Sequence, residues 1–191
     1  MNIGLFFGSF NPIHTGHLMI ADYFAENAGL DQVWLIVSPQ NPLKEKSSLL
    51  DEKHRLYMCN LAVEDNYKLQ ASNIEFHLPR PSYTIDTLTY LHEKYPDNRF
   101  VLIMGTDNLE SLPKWKNYES LLQRYTFFIY TRSGFEPYQQ KLNGDIHFFD
   151  VPQILISSTY IRQAIKEGKS VRYLVPEAVR KHIEEMHFYS K

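Results

Sequence analysis

The sequence predicts an α/β protein built on a doubly wound parallel sheet with helices on both faces. Three observations carry that reading. Short apolar runs alternate with longer amphipathic segments, the pattern of repeated βαβ units. Several runs, Val33–Val37 and Phe100–Met104 among them, are apolar throughout instead of alternating, as in strands covered on both faces. The 191 residues, 43% apolar and 22% charged, suffice for one sizeable core in a single domain spanning 1–191.

The elements follow in order. Strands are expected at Ile3–Phe7, Val33–Val37, Ile74–Phe76, Phe100–Met104, Phe127–Tyr130 and His147–Val151. A first helix starts with Thr15 as N-cap, turns Leu18, Ala21, Phe24, Ala25 and Ala28 inward, and stops at Gly29. A second begins at Asp51 and buries Leu56, Leu61 and Ala62. A third follows Ser82, with Ile85, Leu88 and Leu91 inward, and ends before Pro96. A fourth runs from Ser157 or Ser158 to Gly168, and a last one starts near Pro176 with Val179, Ile183 and Met186 on one face. These two form a small C-terminal helical portion on a Rossmann-like sheet.

Composition narrows the function classes. A net charge of −2 gives no basic footprint for general nucleic-acid binding. Cys59 is the only cysteine, so neither an internal disulfide framework nor a CxxC zinc site is available. The longest apolar runs are five residues, far short of a membrane span. No Lys or Arg precedes Lys44, unlike the positive start of a secretory signal. The expectation is a soluble, cytoplasmic protein without nucleic-acid or membrane partners, with self-association left open.

In such a sheet ligands gather beyond the carboxyl ends of the strands. The first such loop reads Gly8-Ser9-Phe10-Asn11-Pro12-Ile13-His14-Thr15-Gly16-His17. Gly8 permits a sharp turn off the strand, and Gly16 leaves the helix start open to a close ligand. His14 and His17, three residues apart, share a helix face beside amides that favour an anion. The G-x-G-x-x-G dinucleotide fingerprint is absent. A second motif, Ile156-Ser157-Ser158-Thr159-Tyr160-Ile161-Arg162, offers hydroxyls for a cap or a phosphate. Arg162 lies four residues beyond Ser158, so its side chain leans back toward an anion held there. Two helix starts so equipped suggest a polyphosphate clamped between them.

The other carboxyl-end loops read as a surface for a second small molecule. Lys44 either reaches over the pocket or is solvated, Lys46 more simply the latter, and Arg55 is structural or electrostatic support. Thr84 opens the third helix, where free amides suit a carboxylate. Asp107, in Gly105-Thr106-Asp107-Asn108, is an acceptor for ribose or amine hydrogens. Trp115 either stacks a heteroaromatic ring or packs at a turn, and Arg132 either borders a base or faces solvent. Cys59 packs as an apolar residue.

On these residues the sequence resembles the bacterial nicotinate-nucleotide adenylyltransferases of the HxGH nucleotidylyltransferase superfamily. The likeness runs over GSFNPIHTGH at 8–17, SYTIDTL at 82–88, GTDNLESLPKW at 105–115, TRSG at 131–134 and ISSTYIR at 156–162. It implies transfer of AMP from ATP to nicotinate mononucleotide, giving deamido-NAD and pyrophosphate in NAD biosynthesis. Mg²⁺ would be bound through the substrate phosphates, with no metal site of the protein's own. By motif position His14, His17 and Arg162 are the catalytic residues. Gly8, Ser9, Phe10, Lys44, Ser157 and Ser158 hold the ATP phosphates. Gly105, Asp107 and Arg132 line the adenosine side, and Thr84, Trp115 and Lys116 hold the nicotinate. The chain departs from the family's usual opening, with Phe7, Ser9 and Asn11 in place of Gly, Thr and Asp. It also lacks Pro-Pro-His-Lys around Lys44 and carries Lys116 where an aromatic is common; that charge either favours a carboxylate or faces solvent. The alternatives are nicotinamide mononucleotide or phosphopantetheine as acceptor, or a non-catalytic nucleotide-binding module.

Overall fold

Six parallel strands form one sheet in the order β3-β2-β1-β4-β5-β6. They are β1 (Asn2–Gly8), β2 (Gln32–Val37), β3 (Leu69–Ser72), β4 (Arg99–Gly105), β5 (Thr126–Tyr130) and β6 (Asp145–Phe149). The computed structural model describes residues 1–39, 49–131, 142–152 and 154–190. The helices are α1 (Thr15–Asn27), α2 (Glu52–Val63), α3 (Thr84–Lys94), α4 (Thr106–Ser111), α5 (Tyr118–Arg124), α6 (Ser158–Lys166) and α7 (Glu177–Glu185). Strand order reverses between β1 and β4, and the crevice beyond their carboxyl ends is where such sheets bind ligands.

Alternation along the central strands divides the core in two. Val33, Leu35 and Val37 of β2 and Val101 and Ile103 of β4 pack with Ala21 and Phe24 of α1, Met58 of α2, Ile161 of α6 and Val179 of α7. Trp34 and Ile36 of β2 and Phe100, Leu102 and Met104 of β4 face Leu88 and Leu91 of α3, Leu109 of α4 and Leu121 of α5. The period-2 geometry of a strand therefore makes these runs uniformly apolar, because each face has its own layer of helices. The α6–α7 portion closes the first layer, and Gly29, at φ +67, ends α1.

Several boundaries differ from the sequence expectation. Ile74–Phe76 is not a strand: Ile74–His77 forms a 3₁₀ turn, and the third strand is Leu69–Ser72. As an edge strand β3 buries only Leu69, so its apolar signal is weak, whereas Ile74 and Phe76 are apolar because they cover the ends of the two cores. The last strand lies at 145–149, not 147–151; it too is an edge, with half or more of its residues exposed. The N-cap of α1 is His14, not Thr15, whose hydroxyl donates to the Leu174 carbonyl at 3.0 Å. The buried positions of α2 are Arg55, Met58, Cys59 and Val63, with Leu56, Leu61 and Ala62 only partly covered. Met186 falls past the end of α7 and is 46% exposed, since the helix stops at Glu185. Helices α4 and α5 occupy a stretch for which the sequence predicts no helix.

Candidate active site

The β1–α1 connection is held in one shape from several sides. Phe10 adopts φ +46, unfavourable for a residue with a side chain and kept only where the surroundings impose it. Its ring packs edge-on against Phe6 at 6.0 Å and against His17 at 5.0 Å. A Cβ on Gly8 would lie 2.7 Å from that ring, so any side chain there would have to displace it. His14 caps α1: its Nδ1 accepts the backbone N–H of His17 at 3.3 Å. A ring nitrogen that accepts carries no proton, so neutral His14 bears its hydrogen on Nε2. The two imidazoles stack at 3.7 Å between centroids with 22° between planes. His17 is thus fixed by His14 on its face and by Phe10 and Phe6 around its edge.

The start of α6 docks on this same loop. Ser157 caps the helix by accepting the Tyr160 N–H at 3.1 Å. Ser158 Oγ donates to the Pro12 carbonyl at 2.9 Å, and Arg162 Nη1 donates to the Asn11 carbonyl at 2.8 Å. Arg162 Nη2 reaches Thr159 Oγ1 at 3.3 Å, steering the guanidinium toward the helix start. The two helix starts expected to share a polyphosphate are therefore brought together, with the guanidinium braced on the loop that carries the imidazoles. Gly8 ends β1, and Ser9 and Phe10 follow it into the turn. Lys44 and Arg132 lie outside the described residues.

Behind the loop sits Arg55, fully buried at 0% exposure. Its guanidinium donates to the carbonyls of Ser9, Ser38 and Pro39, and its Nε to that of Leu50 at 2.8 Å. One cation thereby ties the β1–α1 connection to the residues flanking the β2–α2 connection. Burial lowers its pKa from the usual guanidinium value, opposed by Cys59, Glu52, Tyr189 and Asp51. Burial likewise pushes the Cys59 thiol far up, which suits an apolar packing residue and not a nucleophile.

The second group of expected residues assembles where α3 begins. Tyr83 is the N-cap of α3 but makes no side-chain cap hydrogen bond, and Thr84 is the first helical residue. Trp115, half-buried against the second core, is pinned by its Nε1–H donating to Ser111 Oγ at 3.3 Å. Lys116 is exposed to solvent, but its charge is paired rather than bare. Its Nζ pairs with Asp86 in the first turn of α3 at 2.8 Å and lies 4.8 Å from the Tyr83 ring centre. Gly105 ends β4 and caps α4, with Asp107 in that helix's first turn.

Sequence reasoning missed Glu75. It lies on the 3₁₀ turn after β3, is 3% exposed, and accepts the Thr87 hydroxyl at 2.8 Å. Burial raises its pKa above the usual carboxylate value, opposed by hydrogen bonds from Thr87, Ser38 and Ser82. It so joins the end of β2 to the start of α3. The one signal in sequence is an acid between two apolar residues, Ile74 and Phe76.

A cavity of about 550 Å³ opens at the opposite, amino edge of the sheet, lined by His92, Arg99, Tyr125, Thr126 and Asp145 among others. It contains none of the expected site residues, and placement beyond strand carboxyl ends is the stronger guide here. No described helix is long and apolar enough to cross a membrane.

Comparison with known proteins bears on this arrangement. The family model for cytidylyltransferase-like proteins matches residues 5–164. The chain is 52% identical to a protein of Flavobacterium johnsoniae described as "Probable nicotinate-nucleotide adenylyltransferase", covering 100% of both chains. It is 48% identical to one of Cytophaga hutchinsonii with the same description, covering 100% of this chain and 99% of the other. Among solved structures, the nicotinic acid mononucleotide adenylyltransferase of Plasmodium falciparum complexed with NaAD superposes with a TM-score of 0.84. It has 21% identity, and the match covers 98% of this chain and 97% of the other.

Proposed function

Because the chain belongs to the cytidylyltransferase-like family, and within it to the nicotinate-nucleotide adenylyltransferases, we propose that it transfers AMP from ATP to nicotinate mononucleotide, giving deamido-NAD and pyrophosphate. The observation that carries the reading is the docking of α6 on the β1–α1 loop, through Ser158 on Pro12 and Arg162 on Asn11. It joins two donor-rich helix starts into one polyphosphate cradle. We assign residues 1–191 to one nucleotidylyltransferase domain working in the cytoplasm.

The chemistry is an in-line displacement. An oxygen of the acceptor's phosphate monoester bonds to the α-phosphorus of ATP, and the bond from that phosphorus to the α–β bridging oxygen breaks, releasing pyrophosphate. The monoester is already anionic near neutral pH, so no general base is needed to make the nucleophile. His17 and the Nε2–H of His14 donate to phosphate oxygens, joined by the amides at the start of α1. Of Arg162's five N–H donors, two hold protein oxygens, leaving others to meet charge on the leaving group. Gly8, Ser9, Phe10, Ser157 and Ser158 shape this cradle, and Lys44 adds a cation to it. Gly105, Asp107 and Arg132 line the adenosine.

A donor set of imidazole, hydroxyl and guanidinium groups suits Mg²⁺ carried in on the phosphates, where it would neutralise their charge. On the acceptor side, Thr84 and the first amides of α3 receive the nicotinate carboxylate while Trp115 stacks its ring. Lys116 contributes its backbone, since its side chain pairs with Asp86.

Mixing the protein with ATP, Mg²⁺ and a panel of acceptors tests this directly. Pyrophosphate release is expected to be fastest with nicotinate mononucleotide and at least about tenfold slower with the nicotinamide form. An amide NH₂ would meet only donors at the helix start, a mismatch worth one or two factors of ten. Equal rates would overturn the carboxylate site. Release with neither would favour a nucleotide-binding module.

A further inference from the structure

Near the end of the chain the backbone does something unusual: His187 and Tyr189 both take left-handed conformations, at φ +53 and +63. Residues with side chains keep such angles only where their surroundings impose them. Here Phe188 lies between the His54 and His182 rings, at 4.8 and 5.6 Å, and this aims the half-buried Tyr189 back toward the sheet. Its hydroxyl donates to Asn11 Oδ1 at 2.8 Å, across 178 positions of sequence. The same oxygen accepts the Leu50 N–H at 3.3 Å, while the Asn11 carbonyl accepts Arg162. The Tyr189 hydroxyl therefore reaches the residue to which the cradle guanidinium is anchored.

We propose that Tyr189 is a positioning residue of the phosphate cradle: by holding the Asn11 side chain it fixes the peptide on which Arg162 is braced. The proposal rests on the reading of that cradle given above. Burial pushes the Tyr189 hydroxyl well up, opposed by the nearby charges of Arg162 and Arg55, so it remains a neutral donor at working pH. Asn11 fits the part. As an amide its oxygen accepts two hydrogens without adding a negative charge beside ATP.

Tyr189→Phe in the full-length protein removes the hydroxyl and keeps the ring. With initial rates followed by pyrophosphate release, kcat/KM for ATP should fall about fivefold, the effect of one lost hydrogen bond. KM for nicotinate mononucleotide should stay within about twofold. Adding Tyr189→Phe to Asn11→Ala should cost nothing further, because the two act through one contact. An unchanged kcat/KM for ATP, a KM for nicotinate mononucleotide that rises beyond twofold, or additive variants would overturn the proposal. If the wild-type protein fails to turn over the nicotinate acceptor, the functional reading falls, and calorimetric ATP affinity decides the positioning role. A weaker affinity in Tyr189→Phe supports it; an unchanged affinity, or no ATP binding at all, overturns it.

Discussion

The two halves of the candidate site are built in different ways. The phosphate cradle is joined across nearly the whole chain: Arg162 to Asn11 spans 151 positions, Ser158 to Pro12 spans 146 and Tyr189 to Asn11 spans 178. The acceptor half is joined locally, with Lys116 to Asp86 spanning 30 positions and Thr87 to Glu75 only 12. The first exists only when β1, α6 and the end of the chain are all in place. The second needs little more than the crossover from β3 to β4 and its neighbour. Changes in the cradle should therefore couple to one another, and changes in the acceptor half should act one by one.

The largest effect expected from breaking this contrast is at His17, whose ring is held on its face and edge. His17→Ala should lower kcat by about 10²-fold, as for removal of a preorganised donor to developing charge. Stopped-assay kinetics would check it, and near-normal turnover in a folded variant would remove His17 from the chemistry. A smaller and more selective change belongs to the acceptor half. Trp115→Ala should raise KM for nicotinate mononucleotide about tenfold, the worth of one stacked base, and leave KM for ATP nearly unchanged. Parallel titration of both substrates separates this from a general loss of structure.

The smallest effect sharpens the contrast through pH. Glu75 has a pKa raised above 4.5, so the folded protein holds its proton more tightly than the unfolded chain does. Its stabilising contribution is complete below pH 4.5 and is lost as pH rises through the raised value. Glu75→Gln cannot lose that proton, so the variant should gain in thermal stability relative to wild type as pH rises through this window. Thermal melts of both proteins across pH 4 to 8 give the difference directly. A gap that does not change with pH would mean that Glu75 does not titrate differently on folding.

Much of this was readable from residues alone, and the parts that were not share a cause. Val33–Val37 and Phe100–Met104 announced themselves because each face of a central strand meets apolar helices. His14, His17, Ser158 and Arg162, which the structure brings to one loop, stand out in the sequence because their types and spacing at helix starts suit anion donors. Edge strands β3 and β6 were misplaced because a half-covered strand needs few apolar residues, while the covering residues Ile74 and Phe76 imitate a strand. Helices of six and seven residues in α4 and α5 are too short to show a period. Arg55 was legible as support but not its partners, which are backbone carbonyls, and Tyr189 was illegible because it meets a residue far off in sequence. No local pattern records such partners.

A crystal structure of the protein with a non-hydrolysable ATP analogue and Mg²⁺ tests the cradle most directly. The triphosphate should lie between the starts of α1 and α6, with the His17 ring and the Arg162 guanidinium both within about 3.2 Å of phosphate oxygens. Phosphates bound instead at the amino-edge cavity near Arg99, or held without either group, would contradict it.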